Sequence, residues 1–176
     1  MQNKNKVGIN GFGRIGRYVT RLAILDPEVE IGLVNDLADI HSLMHLFKYD
    51  SVHGSFDISF EITEDTVVFS NGKSMRFSQH RDPSQIEWAK NNVTTVVECT
   101  GLFLTQTLAS EHFKGGANKV VLSAPAKDES VKTVVLGVND HTLSAEDTVI
   151  SNASCTTNNV APIVKVVKSL MDIELC

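Results

Sequence analysis

A glycine-rich loop near the start of the chain decides its fold: Asn10-Gly11-Phe12-Gly13-Arg14-Ile15-Gly16. The loop follows an apolar segment at 6–10, predicted to be a strand, and leads into a helix predicted over 14–25. Glycines spaced as GxGxxG between a strand and a helix are typical of a loop that holds the pyrophosphate of a dinucleotide. Gly11 permits a tight turn, Gly13 lets the backbone approach the phosphates, and Gly16 lets the helix pack closely on the strand. The free N–H groups at the start of the helix add partial positive charge there.

An acidic residue follows the second predicted strand, at 30–35. Asp36 lies at the position where this type of loop places a carboxylate that accepts hydrogen bonds from the ribose hydroxyls. A carboxylate there repels the 2′-phosphate of NADP, so NAD is the predicted cofactor. The alternative, a glycine-rich turn beside an incidental surface acid, requires the strand, the helix and the acid to coincide by chance.

Short apolar segments alternate with helical patterns along most of the chain. This alternation predicts an α/β fold built on a doubly wound, mainly parallel Rossmann sheet. Further strands are predicted at 94–98, 119–123, 133–136 and 148–151, and further helices at 40–47, 83–90 and 104–113. The first helix is predicted to bury Ile15, Val19, Leu22 and Ala23, and the second to bury Leu43, Leu46 and Phe47.

One segment, 56–78, departs from this rhythm. Its apolar residues alternate along the chain, and they are followed by Asn71-Gly72, a dipeptide that favours a type I′ hairpin turn. We therefore predict a small antiparallel excursion attached to the parallel sheet.

Composition excludes several classes of function. The chain carries 16 basic and 21 acidic residues, a net charge of −5, and no basic run, so a nucleic-acid partner is not expected. Its apolar runs have the length of strands and are too short to span a membrane, so no membrane partner is expected. Its first residues are polar, so no secretory signal is expected. Three widely spaced cysteines (Cys99, Cys155 and Cys176) fit no disulfide framework and no zinc site, so a cytoplasmic location and no metal are expected. Cys99 is interpreted as packing, and Cys176 as incidental and exposed.

A second polar motif surrounds Cys155: Ser151-Asn152-Ala153-Ser154-Cys155-Thr156-Thr157-Asn158. It follows a predicted strand and precedes an apolar helical pattern, in which Pro162 either kinks the helix or marks its start. We expect Cys155 at the helix N terminus, where the helix dipole lowers a thiol pKa and N–H groups can hold an oxyanion. Free cysteines are often buried small hydrophobes, but the hydroxyl-bearing neighbours Ser154 and Thr156 favour a reactive thiol.

Taken together, these motifs resemble glyceraldehyde-3-phosphate dehydrogenase. The resemblance rests on seven stretches in family order: Val7 to Arg17, Asn35-Asp36-Leu37, Lys48 to Gly54, Arg81-Asp82-Pro83, Thr100-Gly101-Leu102-Phe103, Ser123 to Asp128, and Ser151 to Asn158. It implies NAD-dependent, phosphorylating oxidation of glyceraldehyde 3-phosphate to 1,3-bisphosphoglycerate in glycolysis, with Cys155 as the nucleophile. It also implies that Ser154, Cys155 and Thr156 contact the substrate. Cofactor contacts are expected for Arg14 and Ile15 at the pyrophosphate, Asp36 at the adenosine ribose, and Arg81 and Ser123 nearby.

The resemblance also implies the domain organisation. Residues 1–151 correspond to the NAD-binding domain, and 152–176 to the first helix of a truncated catalytic domain. The family's catalytic histidine and phosphate-binding residues lie further downstream, so this chain alone is expected to be insufficient for full activity, and the family homotetramer is uncertain for it. Two alternatives stay open: a non-catalytic NAD-binding or interaction fragment, and erythrose-4-phosphate dehydrogenase, in which a glutamate is usual at the ribose.

Overall fold

The computed structural model describes residues 5–173, so Cys176 lies outside the described residues. The strands are β1 (Asn5–Asn10), β2 (Val29–Asn35), β3 (Tyr49–Asp50), β4 (Gly54–Ser55), β5 (Phe60–Thr63), β6 (Thr66–Phe69), β7 (Ser74–Ser78), β8 (Thr95–Glu98), β9 (Lys119–Leu122), β10 (Lys132–Thr133) and β11 (Val149–Ser151). The α-helices are α1 (Arg14–Leu25), α2 (Ile40–Lys48), α3 (Gln106–Ala109) and α4 (Cys155–Leu170). Short 3-10 helices cover Pro83–Gln85, Ala89–Asn91, Ser110–Gly115 and Asp140–Thr142. No helix within residues 5–173 has the length and apolar character needed to cross a membrane.

The central sheet confirms the predicted α/β class. Its strand order is β10-β11-β9-β8-β1-β2-β7-β6-β5, and the pairs from β10 to β7 are all parallel. If the two-residue strand β10 is left out and the other parallel strands are numbered in chain order, β7-β2-β1-β8-β9-β11 has the order 3-2-1-4-5-6 of a doubly wound dinucleotide-binding sheet. The chain therefore reverses its direction of winding between β1 and β8.

The antiparallel excursion is present as the edge of this same sheet. β5 pairs with β6 and β6 with β7, both antiparallel, while β7 joins β2 in parallel. The predicted type I′ turn is wrong: residues 70–72 form a three-residue loop, in which Gly72 has a φ of +85° and Asn71 is not in the left-handed region. Gly72 N–H donates to the Phe69 carbonyl, and Phe69 N–H donates to the Lys73 carbonyl, which fits a type I turn followed by a left-handed glycine.

Helix α1 has the predicted bounds, and the predicted Val19 and Ala23 pack on the core, but the other two residues of the predicted face do not. Ile15 and Leu22 are 54% and 53% exposed, whereas Gly16, Thr20 and Ile24 are buried. The close approach of Gly16 to the preceding loop fixes the rotation of the helix, because it brings the Gly16 side against the sheet. Helix α2 shows the same kind of error on a smaller scale: Met44 is buried, and the predicted Leu46 is exposed.

Two predicted helices are replaced by tighter turns. In place of a helix at 83–90, two 3-10 helices bring both Ile86 and Trp88 into the core, which is a spacing that an α-helix cannot satisfy on one face. In place of a helix at 104–113, α3 is one turn long, and the chain continues as a 3-10 helix to Gly115. The strand predicted at 133–136 is reduced to β10, and Pro162 lies inside α4 rather than at its start.

Buried side chains form two hydrophobic clusters. The first gathers α1, α2 and the antiparallel strands around Phe12, Phe47 and Phe69. The second gathers β8, β9, β11 and the 3-10 segments around Trp88 and Leu122. Burial of apolar surface on this scale is the main favourable term in folding, and it leaves the carboxyl ends of β1, β2 and β8 to form one edge of the sheet.

Candidate functional site

A cleft of about 320 Å³ opens at the carboxyl ends of β1, β2 and β8, where the winding of the sheet reverses. Ligands of open α/β sheets bind at this kind of switch point. The cleft is lined by residues that follow these strands and β7: Asn10, Gly11, Gly13, Asn35, Asp36, Leu37, His80, Arg81, Cys99, Thr100, Leu102 and Phe103.

The glycines of the loop have different structural roles. Gly11 has a φ of +90°, which favours glycine, and a Cβ there would lie 2.8 Å from Thr100 Cγ2. A Cβ on Gly16 would lie 2.1 Å from the Gly11 carbonyl oxygen, so the helix could not pack where it does. A Cβ on Gly13 would meet no protein atom within 4 Å. Gly13 is therefore not required by the protein's own packing, and its open space belongs to the cleft.

The start of α1 is suited to an anion. Gly13 is the N-cap residue, and no side-chain oxygen caps the helix there. N–H groups in a first turn need an acceptor, and a phosphate oxygen is a suitable one. Arg14 and Ile15, both predicted contacts, are exposed at this end of the helix. The space at Gly13 and the uncapped helix together fit the pyrophosphate of NAD.

Asp36 lies at the rim of the cleft, directly after β2. Its Oδ2 accepts a hydrogen bond from Phe12 N–H (2.7 Å), and its Oδ1 accepts one from Ala38 N–H (3.0 Å). Each carboxylate oxygen has a second lone pair that can accept a hydrogen bond from a ribose hydroxyl. The carboxylate thus shapes the glycine loop as well as facing the cleft, and the first of these roles was not predicted.

The remaining predicted cofactor contacts are not all brought together. Arg81 is exposed and lines the cleft. Ser123 follows β9 and is not among the residues that line the cleft. Its backbone N–H donates to the Glu98 carbonyl (3.0 Å). Burial raises the pKa of Cys99 to about 12; the Ser123 side chain opposes this rise, and the nearby charge of Glu98 adds to it.

The second motif forms a loop between β11 and α4. Cys155 is exposed and is the first residue of α4. Ser154 is the N-cap, and its Oγ accepts a hydrogen bond from Thr157 N–H (2.9 Å). The same Oγ lies 2.9 Å from the Thr156 hydroxyl and 2.7 Å from the Thr157 hydroxyl, so a cluster of hydroxyl groups surrounds the start of the helix.

Backbone strain precedes this helix. Ala153 has a φ of +59° and is buried, a conformation that costs a non-glycine residue of order 1–3 kcal/mol. The loop is held by the Ser151 hydroxyl, which donates to the Ala124 carbonyl (2.8 Å) and accepts from Ala153 N–H (3.1 Å). Asn158 Nδ2 donates back to the Asn152 carbonyl (2.6 Å). Such strain is concentrated at functional sites, and nothing in the local sequence signals it.

The two motifs lie on the same edge of the sheet. β11 runs parallel to β9, β9 to β8, and β8 to β1, so their carboxyl ends point the same way. Strands are spaced by about 4.8 Å, which places the end of β11 roughly 10 Å from the end of β8 along this edge. Within residues 5–173, no group of three or more His, Cys, Asp or Glu side chains is arranged to hold a metal ion.

Comparison with known proteins agrees with this geometry. The family model described as "Glyceraldehyde 3-phosphate dehydrogenase, NAD binding domain" matches residues 5–106. Glyceraldehyde-3-phosphate dehydrogenase 1 of Bacillus subtilis is 49% identical over 170 residues, which cover 96% of this chain and 50% of the relative. The cytosolic enzyme of Leishmania mexicana is 50% identical over 162 residues (92% of this chain, 48% of the relative). A chloroplastic enzyme of Arabidopsis thaliana is 47% identical over 165 residues (93% and 39%).

The chain spans about half the length of the curated relatives it matches. The match of more than half of the chain to one family model, together with the glycine loop and the switch-point cleft, shows that the chain belongs to the glyceraldehyde-3-phosphate dehydrogenase family.

Proposed function

We propose that this chain provides the NAD-binding and nucleophile-bearing part of an enzyme that oxidises and phosphorylates glyceraldehyde 3-phosphate to 1,3-bisphosphoglycerate in glycolysis. The observation that carries the proposal is an exposed cysteine at the start of α4, on the same sheet edge as the dinucleotide cleft. Residues 1–151 are proposed as the NAD-binding domain, and 152–176 as the beginning of the catalytic domain.

Different residues of the chain are proposed to bind different parts of NAD. The pyrophosphate is bound by the glycine loop and the first turn of α1, which contain Gly11, Gly13, Arg14, Ile15 and Gly16. Asp36 accepts hydrogen bonds from the adenosine ribose. Arg81 supplies a cation at the rim, and Ser123, which directly follows β9, is a further proposed contact with the cofactor.

Cys155 is the proposed nucleophile. Its sulfur, without its proton, attacks the aldehyde carbon and forms a C–S bond, and the carbonyl oxygen becomes an oxyanion. The first-turn N–H groups of Cys155 and Thr156, which Ser154 does not cap, are proposed to donate to that oxygen. Ser154 and Thr156 present hydroxyl groups to the substrate. When bound, NAD supplies the hydride acceptor for the oxidation. Inorganic phosphate then attacks the thioester carbon and forms the acyl phosphate; the C–S bond breaks, and Cys155 leaves as the thiolate with which the reaction began.

A second candidate function is a non-catalytic NAD-binding fragment. The observation in its favour is that the glycine loop, Asp36 and Arg81 already line one cleft. The family's homotetramer remains a proposal for this chain. A cytoplasmic location is also a proposal, since cytosolic and chloroplastic relatives both exist.

One experiment separates the two functions. The chain is incubated with NAD and glyceraldehyde 3-phosphate in the absence of phosphate, and its intact mass is measured. The catalytic proposal expects one 3-phosphoglyceroyl group, mapped to the peptide of Cys155 and absent from Cys155→Ser. NAD binding by calorimetry without this adduct, or an adduct on Cys99, contradicts the catalytic proposal and supports the second candidate.

A further inference from the structure

A buried carboxylate lies beneath the cleft. Glu98, the last residue of β8, is 0% exposed. Its Oε2 accepts hydrogen bonds from Asn10 Nδ2 (2.6 Å) and His112 Nε2 (3.1 Å). Its Oε1 accepts from Thr100 N–H (2.7 Å) and from the Thr100 hydroxyl. Four contacts use all four lone-pair positions of a carboxylate.

On the side of Glu98 that faces away from the cleft, Trp88 determines which atom donates in the hydrogen bond between His112 and Glu98. Trp88 Nε1–H approaches His112 Nδ1 at 3.1 Å, and both residues are 0% exposed. An indole N–H can only donate, so Nδ1 accepts and the imidazole is the neutral tautomer with its proton on Nε2. That proton points to Glu98. Every neighbour of Glu98 is therefore a donor, and the carboxylate acts only as an acceptor.

On the outer side, the network continues into the opposite wall of the cleft. Asn10 Oδ1 accepts from Asn35 Nδ2 (2.9 Å), and Asn35 Nδ2 also donates to the His80 carbonyl (2.8 Å). Asn35 Oδ1 accepts from the Ser78 hydroxyl (2.9 Å) and from His80 N–H (2.8 Å). The hydrogen bonds thus connect the ends of β8, β1, β2 and β7 across the floor of the cleft.

Three polar residues of this network directly precede a residue proposed to contact NAD, and Thr100 itself lines the cleft. Asn10 precedes Gly11, Asn35 precedes Asp36, and His80 precedes Arg81. We propose that Glu98 is a positioning residue that holds these loop segments in the geometry for NAD. The identity of the ligand rests on the function proposed above. A fully satisfied buried network is rigid, and loops that are already ordered lose less entropy when a ligand binds.

Glutamine cannot replace Glu98 in this setting. Whichever way its amide is turned, the NH₂ group faces either Asn10 Nδ2 and His112 Nε2, or Thr100 N–H. The Thr100 hydroxyl can rotate to accept, but the two side-chain donors and the backbone N–H cannot. Glu98→Gln therefore removes an acceptor from one arm of the network with almost no change in volume, and an unpaired buried donor is costly.

The test combines a ligand-free and a ligand-dependent measurement. Amide hydrogen exchange by NMR follows Gly11, Phe12 and Thr100, whose N–H groups donate to Asn35 O, Asp36 Oδ2 and Glu98 Oε1. In Glu98→Gln we expect at least about tenfold faster exchange at one or more of these amides, and at least about a tenfold higher Kd for NAD. Trp88 is the only tryptophan, so its emission should also change.

Two control variants separate positioning from lost stability. Glu87→Gln removes an exposed carboxylate that pairs with Lys90 on the surface, and it should leave exchange and NAD affinity unchanged. Val67→Ala opens a cavity at β6, which β7 separates from β2 and which contributes no residue to the lining of the cleft. It should lower the midpoint of thermal unfolding (Tm) without a matching rise in Kd. If Val67→Ala weakens NAD binding as much as Glu98→Gln does, Glu98 acts only through stability and the inference is wrong.

The outcomes remain distinguishable if one step fails. If wild-type protein binds no NAD, the proposed function is wrong, and the exchange data still decide whether Glu98 holds the loops. If Glu98→Gln does not fold, Asn10→Ala cuts one arm, and faster exchange at Gly11 and Phe12 than at Thr100 supports the network. Wild-type exchange at all three amides in a folded Glu98→Gln or Asn10→Ala variant would overturn the inference.

Discussion

Gly13 and Gly16 lie in the same loop motif, yet the structure gives them opposite requirements, and alanine at each position tests this. In Gly16→Ala the new Cβ lies 2.1 Å from the Gly11 carbonyl oxygen, a backbone atom, so the helix and loop must separate by roughly 1 Å. We expect overpacking of this kind to cost about 3 kcal/mol. Alanine recovers about 1 kcal/mol through its higher helix propensity. The net loss of about 2 kcal/mol corresponds to a Tm about 4–8 °C lower in a domain of this size.

Gly13→Ala should leave the free protein almost unchanged. Its Cβ meets no protein atom within 4 Å, and its φ of −71° suits alanine. The weaker preference for alanine at an N-cap and its smaller unfolded-state entropy oppose each other, so we expect a net change of less than about 1 kcal/mol. In the cleft, however, the methyl group occupies space proposed for the pyrophosphate. The Kd for NAD should therefore rise at least about tenfold, or about 1.4 kcal/mol.

Thermal and urea unfolding, followed by circular dichroism, measure the first effect, and calorimetric titration with NAD measures the second. The pair serves as its own control, because both variants add one methyl group to one loop. Equal stability of Gly16→Ala and wild type would refute the packing argument. Unchanged NAD affinity in a folded Gly13→Ala variant would refute the assignment of the open space to the cofactor.

Three further predictions concern individual side chains. Asp36→Asn must turn its amide NH₂ toward one of two backbone donors, so NAD affinity should fall about tenfold while NADP is disfavoured less, as measured by titration with both cofactors. At pH 8, iodoacetamide should label exposed Cys155 long before Cys99, because a pKa of about 12 leaves Cys99 almost entirely as thiol; peptide mapping that finds equal rates would contradict this. Hydrogen bonds from the backbone N–H groups of His53 and Val52 lower the pKa of Asp50 to about 2. The carboxylate therefore stabilises the β3–β4 turn above pH 3.8, and this stabilisation is lost as the pH falls through about 2. Protection of the His53 amide from exchange should be lost over the same pH range in wild type and not in Asp50→Asn.

The parts of the fold that the sequence predicts correctly are those with local signals. Helix α1 begins after Gly13 and ends before Asp26-Pro27, and both boundaries were predicted because glycine, aspartate and proline act on their own backbone. The buried face of α1 is predicted only in part: Ala23 is buried as expected, but Ile15 and Leu22 are apolar and face outward. Their exposure depends on where Gly16 meets the loop, which is a tertiary contact. The 3-10 helices on either side of Trp88 were not predicted either, because they depend on the burial of Ile86 and Trp88 in the core, which is also a tertiary effect.

In the candidate site, too, the residues in a local motif are predicted and the residues joined by tertiary contacts are not. Gly11, Gly16 and Asp36 are readable because a motif of fixed spacing carries both their geometry and their chemistry. Glu98 contacts Asn10 across 88 residues of sequence, and its other long-range partner is a histidine in a 3-10 helix that the pattern predicted as α-helix. No spacing rule joins these residues. A glutamate at the end of an apolar strand is equally compatible with a solvated strand end, and only the assembled sheet shows it buried with four donors around it. The motif therefore identifies the residues proposed to touch the cofactor, while the residues that hold them in place emerge only when the parallel strands are aligned.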